Sequence, residues 1–245
     1  MRRLPALLVA ALAVALAAPA PAAVEQAPPG PRVERLGRSV LGRPINVVRI
    51  GDPAAPRKVL IVGSIHGDEP AGRGIVDLLR ASVPPPGVEL LLVRDLNPDG
   101  LQRGTRQNAH GVDLNRNSSQ GRRFLGGPGS RFYAGPRAFS EPETRAIRAL
   151  ILRVRPVMTI WYHQPYGLVD SPEAGDDALT KAYARLSGLP ARPLAPRPGS
   201  MSRWENARVR PGSSIVVELP AGPLPPAAAR RHADTVLALA APPAP

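Results

Sequence analysis

Three short runs rich in β-branched and apolar residues, at 59–62, 88–94 and 156–162, constrain the fold more than any other feature of the chain. Each has the length of a strand and lacks the polar alternation of a strand with one wet face, so both faces are expected to be buried. Segments of helical character stand between them. One is 71–81, with Ile75, Val76, Leu78 and Leu79 on an apolar stripe behind Pro70. Another is 140–154, opened by Ser140 with Glu143 three residues on, the spacing of a capping pair. A polar helix at 176–187, a strand at 214–218 and a closing helix at 227–239 continue the alternation. Residues 35–50 read as a hairpin around Gly42. The stretch 95–140 reads as a long loop, and loops of that length inside a compact domain usually serve a function. The expected class is α/β: a single domain with a mostly parallel mixed sheet and helices on both faces.

In such sheets ligands bind beyond the carboxyl ends of the strands. The first apolar run delivers His66-Gly-Asp-Glu69 into a glycine-containing turn. An imidazole and a carboxylate three residues apart can reach one cation, and both are ordinary zinc donors. The third run ends directly at His163, and the last short strand ends at Glu218. A histidine after a strand is more often structural, and a glutamate near a helix start is often a cap. Three such residues at strand ends weaken those readings together. His66, Glu69 and His163 make the His₂Glu set of catalytic zinc in carboxypeptidase A, with a fourth position open for water. The pattern is not His-Glu-x-x-His, in which the glutamate is the base, so the base must come from elsewhere. His₂Glu ligation alone does not exclude other divalent metals.

Composition bounds the rest. A basic start at Arg2-Arg3, an apolar run to Ala18 and small residues to Ala23 have the three-part form of a secretory signal over 1–23. The apolar part is short for a membrane span, so no stable span is expected after cleavage. A Pro-rich lead-in covers 24–31, the domain 32–241 and a frayed tail 242–245. Roughly 220 residues then remain, enough for one α/β domain. The chain has no cysteine, so an exported form has no disulfides and any metal site rests on His and carboxylate. The formal net charge is +13, nearly all of it arginine. A basic exterior favours anionic surroundings, yet a GC-rich genome gives the same excess, so charge alone identifies no partner. No arginine–aromatic alternation marks a nucleic-acid surface, and none is expected as a partner.

The motifs taken together resemble a known family. His66-Gly-Asp-Glu69, Asn97-Pro-Asp-Gly100, Arg106-x-Asn108, Gly111-Val-Asp-Leu-Asn-Arg-Asn117, Tyr162-His163-Gln-Pro165, Pro198-Gly-Ser-Met-x-x-Trp204 and Glu218-Leu-Pro220 follow one another as in zinc carboxypeptidases of the funnelin type. The chain is most similar there to the short bacterial murein peptide amidases, the γ-D-glutamyl-diaminopimelate hydrolases. The resemblance implies one zinc on His66, Glu69 and His163, with Asp113 orienting His66. It implies Glu218 as the group that takes a proton from water and passes it to the leaving amine. Arg106 would stabilise the oxyanion, and Asn115 and Arg116 would hold the substrate carboxylate. Larger relatives carry a tyrosine before the catalytic glutamate, but no tyrosine lies between Tyr183 and Glu218 here. The Pro198–Trp204 segment occupies that region, with Trp204 either a wall of the substrate pocket or a packing residue, and Asp170 either a reader of a substrate amino group or a turn residue. His110 and His232 have no partners by pattern and are read as non-catalytic.

The activity implied is an exported metallocarboxypeptidase acting on an amide beside a free carboxylate, with cell-wall peptide as substrate. One alternative is a zinc deacylase of the succinylglutamate desuccinylase and aspartoacylase type. Those enzymes usually carry a further β-rich domain, whereas the 27 residues after Glu218 read as one helix and a tail. A non-catalytic wall-binding protein on the same fold is the other alternative, and an intact ligand set argues against it. Sequence says nothing of the oligomeric state.

Overall fold

In the computed structural model, the three apolar runs form the centre of one mixed sheet. It describes residues 30–170 and 177–242. The expected signal segment, all but the last two residues of the lead-in, Asp176 and residues 243–245 lie outside the described residues. Seven strands make the sheet: β1 (Arg32–Arg38), β2 (Pro44–Gly51), β3 (Arg57–Val62), β4 (Val88–Val93), β5 (Met158–His163), β6 (Tyr166–Asp170) and β7 (Ser213–Pro220). Their order is β1-β2-β4-β3-β5-β7-β6. The four central strands β4, β3, β5 and β7 run parallel. At one edge β1 and β2 form the expected hairpin, and at the other β6 returns antiparallel along β7.

Alternation along the central strands feeds two cores. Val59 and Ile61 of β3 point to one side, with Ile160 and Tyr162 of β5 and Ile215 and Val217 of β7. Three helices close that side: α1 (Gly72–Arg80), α4 (Asp177–Ser187) and α6 (Pro226–Ala240). Leu60 and Val62 point the other way with Trp161 and Val216, beneath α3 (Pro142–Val154) and α5 (Met201–Arg208). Burial on both faces is why these strands carry no polar alternation. Within the first core, Tyr162, Tyr183 and His232 form a buried hydrogen-bonded chain, 2.8 Å between the hydroxyls and 2.9 Å from Tyr183 to His232 Nδ1. Burial pushes the His232 pKa down to about 4, so the ring is a neutral core group.

The long loop expected at 95–140 contains the helix α2 (Pro98–Arg103) and a 3-10 turn at Leu114–Arg116. Asn97 caps α2 through its side-chain oxygen, which accepts from Gly100 N at 2.9 Å, and Gly104 ends it in the left-handed region at φ 62°. The capping pair expected at Ser140 and Glu143 does not form. Glu141 occupies the N-cap position with no side-chain cap bond. Asn117 donates to Ser140, and Asn108 and the Val40 amide donate to Glu143, so both side chains are committed to the neighbouring loop and hairpin. Among the described residues no helix is long and apolar enough to cross a membrane.

Candidate active site

Strand order places the site. From β3 the chain crosses through α1 to β4 on one side, while β5 leads towards β7 on the other. The adjacent pair β3 and β5 is therefore a switch point, where diverging connections leave a crevice at the carboxyl ends. His66 lies in the turn after β3 and His163 is the last residue of β5. Glu218 of β7 is the register partner of His163. The turn carrying His66 can pack as it does because Gly67 has no side chain. A Cβ there would lie 1.9 Å from the Gly100 carbonyl carbon at the start of α2.

His66, Glu69 and His163 are buried and converge. His66 Nδ1 lies 2.9 Å and His163 Nδ1 2.8 Å from Glu69 Oε2, and the two Nδ1 atoms are 3.2 Å apart. Metal–ligand bonds of about 2.1 Å in a tetrahedron give edges of roughly 3.4 Å, so three donors this close and chemically apt suit zinc. His66 Nε2 donates to Asp113 Oδ1 at 3.0 Å, the tautomer that leaves Nδ1 as a lone pair towards the centre. Among the described residues this is the one group of three or more His, Cys, Asp or Glu arranged to hold a metal.

Charges around these donors are balanced by pairing. Burial pulls the Glu69 carboxyl upward, but His66 and His163 outweigh it and hold the group far below the usual carboxylate range. Burial likewise opposes ionisation of Asp113, and His66 and Arg106 overcome it. Arg106 bridges both carboxylates, with Nε 2.9 Å from Asp113 Oδ2 and Nη1 2.8 Å from Glu69 Oε1. Burial raises the Glu218 carboxyl above its ordinary value and Glu69 adds to this, while the histidines and Arg106 pull it back. Glu218 Oε2 is buried and has no hydrogen-bond partner, an orphaned acceptor at the mouth of the donor set.

A cavity of about 310 Å³ opens over these groups. His66, Glu69, His163 and Glu218 form its floor, and Arg106, Asn115 and Arg116 also line it. Asn115 is more engaged than expected. Its Nδ2 stands 3.2 Å from His163 Nε2, and its Oδ1 accepts from Met201 N at 2.9 Å. The amide thus ties a candidate ligand to the start of α5. Asp170 lies on the cavity wall and accepts from Leu194 N at 2.8 Å. Trp204 does not line the cavity. Its ring is buried against Phe139 at 5.2 Å between centroids, because α5 turns Met201 and Trp204 into the core and Ser202 and Arg203 towards the opening. His110 is half-exposed, 2.7 Å from Glu141, and takes no part in the cavity.

Sequence reasoning missed several lining groups. Gln164 N donates to Glu69 Oε2 at 3.2 Å, while its side chain joins Ala71, Pro220 and Gly222 and so holds the metal turn to β7. Its place directly after His163 was the available signal. Phe132 and Arg131 on one wall, and the Pro193–Arg197 stretch on the other, gave none.

The profile of the zinc carboxypeptidase family matches residues 22–79 and 87–171. The chain belongs to the zinc carboxypeptidase family. Its similarity extends to murein peptide amidase A of Escherichia coli K12, 32% identical over 189 residues that span 72% of this chain and 76% of that one. The murein peptide amidase A of Vibrio campbellii is also 32% identical, over 197 residues, 75% of this chain and 77% of that one. The crystal structure of the murein-tripeptide amidase from Escherichia coli O157 superposes with a TM-score of 0.65 at 28% identity, covering 88% of this chain and 93% of that one. A carboxypeptidase A from Helicoverpa armigera shares the fold, with a TM-score of 0.73 at 21% identity over 86% and 68% of the two chains. As a member of the zinc carboxypeptidase family the chain is a zinc-dependent hydrolase, and the buried His-Glu-His group is where its residues fit the metal.

Proposed function

We propose that this chain is an exported metallocarboxypeptidase that hydrolyses an amide beside a free carboxylate in murein-derived peptides, its catalytic unit spanning 32–241. The observation that carries the reading is the orphaned, basic Glu218 carboxylate beside His163, facing a cavity whose inner wall is cationic. Similarity to murein peptide amidases over most of the chain supports the substrate class, and the signal-like segment 1–23 supports export.

His66, Glu69 and His163 would hold zinc, which when bound supplies Lewis-acid polarisation and a lowered pKa for the attacking water. Glu218 takes the proton from that water at its free Oε2 and delivers it to the departing amine. Its raised proton affinity suits both halves of the transfer. Arg106, fixed by Asp113 and Glu69, stands at the cavity edge as the cation for charge developing on the carbonyl oxygen. Arg116 receives the substrate carboxylate, and Asn115 helps bound that subsite while holding His163 in place.

The test is hydrolysis of a γ-D-glutamyl-diaminopimelate peptide against an ordinary C-terminal peptide, with zinc and with chelator. Zinc-dependent cleavage of the first is expected, and Glu218→Gln should lower kcat by about 10²–10⁴-fold. No zinc-dependent release from either peptide sinks the reading.

A further inference from the structure

Phe132 is the aromatic side chain around which the cationic wall of the cavity is built. Its ring centroid lies 5.4 Å from the guanidinium carbon of Arg116, 5.6 Å from that of Arg106 and 5.9 Å from that of Arg131. All three distances fall within cation–π reach. The two inner arginines differ in what else holds them. Arg106 has two carboxylate partners. Arg116 is buried and forms no ion pair among the described residues, and its Nη1 donates to the Asn115 carbonyl oxygen at 2.6 Å. Asp113 and Glu69 favour its charge only through space, against repulsion from Arg106 and Arg197, so a buried guanidinium here gains from a source of negative potential in direct contact. The face of an aromatic ring supplies it without consuming the hydrogen-bonding edge that a carboxylate ligand would take.

We infer that Phe132 is a positioning residue that sets substrate choice: it holds the Arg116 fork open for the substrate's free carboxylate and keeps Arg106 and Arg116 in register despite their repulsion. The inference rests on the function proposed above. It gives a role to a residue of the 118–140 loop that is 39% exposed yet lines the cavity. An ion pair in place of the ring would neutralise Arg116 and compete with the substrate. An aliphatic side chain would fill the space but supply no quadrupole.

The experiment compares Phe132→Leu, Phe132→Ala and Phe132→Trp in the zinc-loaded full chain. Each acts on a γ-D-glutamyl-diaminopimelate peptide and on its counterpart with that carboxylate converted to a carboxamide. Phe132→Leu should lose about tenfold in kcat/KM on the carboxylate peptide, mostly through KM, since a binding contact is removed. Its preference for carboxylate over carboxamide should fall by a similar factor, with zinc content and Tm close to wild type. Phe132→Trp should stay within about threefold, because indole is the stronger cation–π partner. Phe132→Leu that keeps the wild-type preference overturns the inference, as does Phe132→Trp that loses as much as Phe132→Leu. Should the wild type cleave neither peptide, the proposed function fails, and the ring contact is judged by NMR of the arginine Nε–H groups. Loss of ring-current shifts at Arg106 and Arg116 in Phe132→Leu supports it, and unchanged resonances reject it.

Discussion

Asp113 ties three neighbouring groups of the site to one buried carboxylate. It accepts from His66 Nε2, from Arg106 Nε and from the Asn115 amide N at 3.0 Å, so one carboxylate fixes a ligand's tautomer and a cation's direction together. Asp113→Asn keeps the size but can present an N–H to His66. The expected result is zinc affinity weakened about 10–100-fold, measured by competition with a chromogenic chelator. Affinity equal to wild type would show that Asp113 does not orient His66. At this scale the metal set was readable because His66, Glu69 and His163 follow apolar runs whose burial is dictated by composition. Phe132 was not, since its place depends on how the 104–140 segment folds. That segment is pinned by single side chains such as Asn117, which donates to Ala134, Arg137 and Ser140, rather than by any periodic pattern.

Among the elements, α5 carries a motif whose sequence leaves Trp204 open between pocket wall and core. The Pro198–Trp204 segment lies beside the cavity as expected, but helical phase decides which of its side chains enter. Gly199, at φ +72° with its Cα against the Arg116 carbonyl, fixes that phase. A fully buried carboxyl, Glu205, then locks α5 to the sheet, accepting from Thr159 Oγ1 at 2.5 Å and Trp161 Nε1 at 3.1 Å. Burial raises its pKa to about 7. The unfolded chain sheds that proton near pH 4.5, while the folded chain keeps it until about 7. Stability from this group is therefore undiminished below 4.5, falls as pH rises between the two values, and stays reduced above. Glu205→Gln removes the dependence. Urea unfolding should find it equal to wild type near pH 4.5 and more stable at pH 8.5, by up to about 3 kcal/mol. A loss of the same size at both pH values would contradict this. The helix α2 and strand β6 were hidden for other reasons. Asn97-Pro98 was a start signal with too few apolar residues behind it, and β6 exists only because it pairs with β7.

For the molecule as a whole, the parallel centre of the sheet was readable because β3, β4 and β5 are hydrophobic on both faces, and the β1–β2 hairpin from its turn, whereas its docking on β4 and the return of β6 along β7 depend on pairings no local run reveals. Without cysteine, the covalent chain has no disulfide, and an ion held by His66 and His163 would join segments 97 residues apart in sequence. Zinc at about 100 times its dissociation constant should add roughly 2.7 kcal/mol to the folded state, raising Tm by about 5–10 °C over chelated protein. Calorimetry with and without chelator measures this, and coincident melting curves would rule out zinc binding to the folded form. The pairing of His163 with Glu218 has a larger consequence. On the function proposed above, the sheet ladder carries His163 and Glu218, while surface excursions at 118–140 and 193–197 line the cavity in front of them. Grafting those two excursions from a relative is thus a route to new specificity, provided the graft keeps the Tyr133 carbonyl that accepts from Asp113 N and an aromatic ring at 132.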